Sequence, residues 1–130
     1  MYIPPELSDL KNPLCTTIVL SQNQEMVKTP NEVRLSKPET VIQALNARYN
    51  EDYLALKNFL ESLPDDVLIG MVTVMYIGSE CQGQEISNKE MFYKSYYKNY
   101  GEWNRKNAIW TMTSKANLYQ YLQTGMQLLF

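Results

Sequence analysis

The stretch from Asn50 to Gly78 constrains the fold of this 130-residue chain more than any other. Tyr53, Leu56, Phe59, Leu60 and Leu63 recur at three- and four-residue intervals, the spacing that places side chains on one face of an α-helix. Asn50 is positioned to cap that helix, and Pro64 both ends it and opens the next. Asp65 and Asp66 then fall in a first turn, where carboxylates complement the helix dipole. Leu68, Met71, Val72 and Met75 form the following stripe, widened by Val67 and Val74. Its centre, VTVMYI, is dominated by β-branched residues and would also read as a strand. The capping signals and Gly78 as a C-terminal stop favour a helix. Two consecutive amphipathic helices must bury their apolar faces against others, so a mainly α fold is expected.

The flanking sequence extends this reading. Ser36-Lys37-Pro38-Glu39 fits a capping box, after which Val41, Ile42, Leu45 and Tyr49 share a face. Ser87-Asn88-Lys89-Glu90 fits a second, opening a helix expected to run to about Tyr100, with Gly101 as its breaker. Residues 102–113 read as irregular or briefly helical, and Ser114 as the cap of a last helix carrying Leu118, Tyr121, Leu122, Met126 and Leu129. The first 35 residues look different. Pro4, Pro5 and Pro13 point to an extended arm, and the β-branched run Cys15–Leu20 to a short strand. Glu25–Lys28 and Glu32–Leu35 are further extended candidates for a hairpin, with Pro30 in the connection because it cannot donate to a ladder. The expected architecture is one compact domain: an extended or β-containing segment over 1–35, then a bundle-like helical part of about five helices over 36–130.

Composition narrows the chemistry. With 45% apolar and 20% charged residues the chain is globular in type, and it contains no histidine. Within one chain this excludes a Ser-His-Asp triad, a Cys-His pair, an HExxH zinc site and an imidazole proton shuttle. Glu61, Asp65 and Asp66 could cluster across the helix junction, but they lack the spacing of a calcium loop and read as acids at a helix start. Cys81 has no adjacent base, and GSECQGQ has no phosphate-cradling pattern. Cys15 and Cys81 read as reduced thiols, and Met71, Met75, Met112 and Met126 as core filling. No catalytic set, no metal site and no cofactor is expected. The N-terminus lacks a secretory pattern, and the longest apolar run, Val67 to Gly78, falls short of the roughly 20 residues that span a bilayer. A cytoplasmic protein without membrane contact is the expectation.

The net charge of −2 conceals a division. Residues 1–88 carry six Lys/Arg against twelve Asp/Glu, whereas residues 89–130 carry six against two. The basic part contains the most unusual segment, Met91 to Trp110, which holds seven of the fifteen aromatic residues. On a continuous helix Phe92, Tyr96, Tyr100 and Trp103 would share one face, with Tyr93 and Tyr97 on the adjoining flank beside the lysines. Three readings compete. The aromatics are core with hydroxyls reaching the surface; they form a protein-binding face, since Tyr, Trp and Arg concentrate at interface hot spots; or they stack on unpaired bases while Lys and Arg meet phosphates. The acidic sequence pI near 5.1 counts against the third.

Two helical motifs carry a resemblance. Tyr76-Ile77-Gly78 ends an apolar helix that follows an acidic turn, and Tyr121-Leu122-Gln123-Thr124-Gly125 gives a Tyr-Leu-x-x-Gly pattern near the C-terminus. Over residues 55–130 the chain resembles the bacterial family catalogued as domain of unknown function 3775, departing from it at Ser79-Glu80, where an arginine-glycine pair is expected. The resemblance implies an all-helical C-terminal part and no particular activity.

Together these features point to a small, non-catalytic, inhibitor-type or binding protein whose main partner is another protein. Its expected contact surface is Tyr93, Lys94, Tyr97, Lys98, Tyr100, Trp103, Arg105 and Lys106. Single-stranded nucleic acid is the alternative partner for the same face. The N-terminal segment over residues 2–20 is a candidate second contact, including subunit exchange in a homodimer.

Overall fold

The computed structural model describes residues 3–27 and 51–130, which contain six helices and no strand. These are α1 (Leu7–Val27), α2 (residues 51–61), α3 (Asp65–Glu80), α4 (Lys89–Tyr97), α5 (Arg105–Ser114) and α6 (Leu118–Leu129). The expected segments 32–35 and 36–49 lie outside the described residues.

The N-terminal expectation is corrected by α1. Residues 7–27 form one helix, so the expected arm is helical from Leu7 through Pro13 and Cys15–Leu20 is not a strand. The hairpin candidate beginning at Glu25 is helical through Val27, and of the described arm only residues 3–6 lack regular structure. Leu7, Leu10, Leu14, Thr17, Ile18 and Ser21 are buried, a helical spacing that overrides the β preference of Thr16, Thr17, Ile18 and Val19. Pro13 lies inside the helix, where its missing N–H and ring cost about 3 kcal/mol. Burying Leu10 and Leu14 completely offsets that, at roughly 1.5–3 kcal/mol for each side chain. The Thr17 hydroxyl donates to the Pro13 carbonyl oxygen (2.8 Å), which satisfies one buried polar group within the same turn. From Leu7 onward the segment is thus a helix whose apolar stripe packs into the core.

α3 is the central element. Ten consecutive or near-consecutive residues, Leu68–Met75 with Ile77 and Gly78, are buried, and the helix contacts α1, α4, α5 and α6. An element covered on all sides reads as continuously apolar, which is why VTVMYI mimicked a strand. Its one buried hydroxyl, on Thr73, donates to the Ile69 carbonyl (2.8 Å). Pro64 holds the N-cap position as expected. Gly78 does not stop the helix, which continues to Glu80; it is a packing residue, and the Cys81 N–H closes the last turn on the Ile77 carbonyl (2.9 Å).

From α4 onward the helix boundaries differ from the sequence reading, each for a local reason. Asn88, not Ser87, caps α4, its Oδ1 accepting from the Met91 N–H (3.2 Å). Glu90 is thereby released from the capping box, and its Oε1 accepts instead from the Leu7 N–H (3.2 Å), capping α1 from across the fold. α4 ends at Tyr97, and residues 98–102 turn through bonds from Asn99 and Tyr100 to the Tyr96 and Tyr97 carbonyls (3.0 Å each). α5 is a full helix, capped by Asn104 accepting from the Asn107 N–H (2.8 Å). Ser114 closes α5 by donating to the Trp110 carbonyl (2.6 Å), so it does not cap α6. That junction is made by Asn117 in the left-handed region at φ 61°, which Asn tolerates better than most residues. No helix among the described residues is long and apolar enough to cross a membrane.

Candidate functional site: an aromatic cluster and a tryptophan-edged cleft

The end of α4 at Tyr97 splits the aromatic segment. Tyr93 and Tyr97 face inward and are 0% and 2% exposed, packed edge-on with ring centroids 6.1 Å apart. Both are corrected from contact surface to core. The Tyr97 hydroxyl donates to the Asp66 carbonyl (3.4 Å), tying α4 to the start of α3. The Tyr93 hydroxyl is buried with no hydrogen-bond partner among the described residues, beside Gly70 and Leu10. Burial, then the neighbouring Tyr97, Glu90 and Asp66, pushes its ionisation far above the usual tyrosine range. Lys94 stays on the outer side of α4, 4.0 Å from Glu90, and Lys98 is exposed beyond the helix end. No base can stack on Tyr93 or Tyr97 while the fold is intact.

Tyr100 and Trp103 belong to a second group. Tyr100 stacks on Tyr76 of α3 at a centroid distance of 4.9 Å, with the rings 8° from parallel. Trp103 stands edge-on to both, 5.4 Å from Tyr100 and 6.3 Å from Tyr76. These are favoured aromatic geometries, worth about 0.5–1.5 kcal/mol per pair beyond area burial. Lys115 holds its Nζ 5.4 Å from the Tyr76 centroid and 5.5 Å from that of Tyr121. Close by, the Tyr96 hydroxyl donates to Glu80 Oε2 (2.8 Å) and lies 3.5 Å from Cys81 Sγ. Those bonds, Cys81 first, raise the Tyr96 ionisation. The Tyr100 hydroxyl is pushed up to about 12 by burial, then by the charge of Glu80 and by Tyr76.

Arg105 and Lys106 stand at the start of α5 with different jobs. The Arg105 guanidinium pairs with Asp65 through Nη1, and its Nη2 donates to the carbonyls of Glu61 (2.7 Å) and Leu63 (3.2 Å). A rigid fork of donors suits this task, which joins α5 to the α2–α3 turn. Lys106 is exposed and has no ion pair among the described residues. One turn further on, Trp110 is 70% exposed, unusual for the largest apolar side chain.

Trp110 edges a cleft of about 530 Å³. Tyr53, Lys57 and Glu61 of α2 line one side and Arg105, Lys106, Ile109 and Trp110 of α5 the other. On each helix the spacing of one turn brings these residues to the same face, and Lys57 lies 4.0 Å from Glu61. Of this lining, sequence reasoning places only Arg105 and Lys106 in its contact surface; Trp110 marks merely the end of the aromatic segment, Tyr53 belongs to a packing stripe, and Lys57 has no site role. A second cleft of about 470 Å³, between Gln84–Lys89 and Gln127–Leu128, is edged by no exposed aromatic ring.

Chemistry-bearing groups are sparse. Among the described residues no three His, Cys, Asp or Glu side chains are placed to hold a metal ion. Asp65 is engaged by Arg105, Cys15 is exposed on α1, and Cys81 is buried at the end of α3. No family model, curated protein or solved structure matches the chain.

Proposed function

We propose that this chain is a non-catalytic protein-interaction module that takes an acidic, amphipathic segment of another protein into the cleft between α2 and α5. The observation that carries the reading is Trp110, largely exposed at the edge of that cleft. Tryptophan concentrates at binding hot spots because it buries a large area while fixing few torsions. Ile109 and Tyr53 supply further apolar lining, and with Lys57 beside Glu61 and Arg105 paired with Asp65, Lys106 is the uncompensated cation at the rim among the described residues. The occupant that complements such a cleft carries an apolar anchor flanked by carboxylates. Basic character in the last third of an acidic chain supports the same reading.

The test uses a designed helical peptide with a leucine face and glutamate flanks, and a matched peptide with lysine flanks. The acidic peptide is expected to bind the full chain and perturb Trp110 fluorescence, in a Trp103→Phe background that leaves one tryptophan. Trp110→Ala and Lys106→Glu should each weaken it at least about tenfold. Equal binding of both peptides, or none of the acidic one, overturns the proposal. Binding of an oligonucleotide instead, with affinity collapsing as salt rises, would replace it by the single-stranded nucleic-acid alternative.

A further inference from the structure

The aromatic cluster around Tyr76 has a chemistry of its own. Tyr76 presents one ring face to Tyr100, and a cation stands within 5.5 Å of both the Tyr76 and Tyr121 ring centroids. That cation is the ammonium of Lys115, from the three-residue link between α5 and α6. Among the described residues the Lys115 ammonium has no carboxylate partner and no hydrogen-bond acceptor; the rings are what it meets. A primary ammonium has three N–H donors to satisfy and gains little from such walls. An N-methylated ammonium has few or none, is weakly hydrated, and draws its recognition from ring faces. Glu80, held by the Tyr96 hydroxyl and close enough to Tyr100 to raise its ionisation, adds a negative charge at the margin with no ion pair among the described residues.

We propose that Tyr76 and Tyr121, backed by Tyr100 and Trp103, form a recognition site for an N-methylated ammonium group, with Lys115 as an internal occupant that such a ligand displaces. The walls come from three separate parts of the chain: α3, the α4–α5 turn and α6. The gate comes from the short linker, so the site opens by swinging one flexible side chain without moving a helix. Lys115 sets the affinity, since the ligand competes with a tethered cation at high effective concentration.

Choline and its neutral isostere 3,3-dimethylbutan-1-ol test this on the full chain, read through Trp103 in a Trp110→Phe background. Lys115→Ala is expected to bind choline saturably in the millimolar range, at least about tenfold more tightly than the chain with Lys115 present, and to ignore the alcohol. Adding Tyr76→Leu should abolish binding while cooperative urea unfolding shows the chain still folded. No saturable choline binding by Lys115→Ala, an equal response to the alcohol, or binding that survives Tyr76→Leu in a folded protein overturns the proposal.

Discussion

Gly78 and Gly125 face each other across the α3–α6 interface, and the space a side chain on either would need is taken by the backbone of the opposite helix. A Cβ on Gly78 would stand 1.9 Å from the Tyr121 carbonyl oxygen and 2.8 Å from the Gly125 nitrogen. A Cβ on Gly125 would stand 2.3 Å from the Val74 carbonyl oxygen. The obstacles are backbone atoms, so no rotamer change relieves them. The two helices with the most extensive mutual contact in the fold therefore approach as closely as backbone allows, and these are the glycines of the Tyr-Ile-Gly and Tyr-Leu-x-x-Gly motifs. In the structure these two motif glycines make a helix crossing.

Gly78→Ala and Gly125→Ala should each destabilise the protein by about 3 kcal/mol or more, the upper range of overpacking, despite the gain in helix propensity. Urea denaturation measures it. Because either change pushes the same two helices apart, the double variant should cost clearly less than the sum.

Tyr93→Phe should leave stability unchanged or raise it by about 1 kcal/mol. Its hydroxyl is buried without a partner among the described residues, and removing such a group removes a desolvation cost. Tyr97→Phe loses a hydrogen bond to the Asp66 carbonyl and should cost about 1 kcal/mol. Opposite signs at adjacent turns of one helix distinguish this arrangement from generic tyrosine burial.

Arg105→Lys should behave almost like Arg105→Ala, each costing about 1–2 kcal/mol. The guanidinium serves Asp65 and two carbonyls at once, which an ammonium cannot do from the same stem. The partial exposure of the pair keeps the figure modest. Thermal unfolding of the two variants, compared side by side, checks the equivalence.

Alkaline titration should unfold the protein cooperatively. Tyr93, Tyr96 and Tyr100 all ionise at higher pH in the folded chain than the ordinary value of 10.0. Above pH 10 the unfolded chain releases those protons while the folded chain keeps them. Stability is thus fully present below pH 10 and falls as pH rises, by up to about 1.4 kcal/mol per pH unit for buried Tyr93. Tyrosinate absorbance should appear together with loss of helical circular dichroism, and Tyr93→Phe should shift the transition upward.

The helical core of residues 51–80 was legible because apolar spacing, a proline and two acids agreed on one answer. α1 was not, because the run CTTIVL weighs locally, whereas the evidence for a helix is Leu7, Leu10, Leu14 and Ile18 taken across Pro13. The aromatic segment was ambiguous for a different reason. Phe92/Tyr96 and Tyr93/Tyr97 are both i,i+4 pairs, and only the packing of α4 against α3 and α6 decides which pair faces inward. The cleft needed tertiary structure, since nothing at Tyr53 or Lys57 announces that α5 lies alongside.

The most direct test of the interaction surface uses the two indole N–H resonances, one from each tryptophan of the chain. Titrating the acidic amphipathic peptide into isotope-labelled protein should move the Trp110 signal progressively and saturably while Trp103, in the separate aromatic cluster, stays in place. A Trp110 signal that does not move at saturating peptide, or a shift confined to Trp103, would contradict the account.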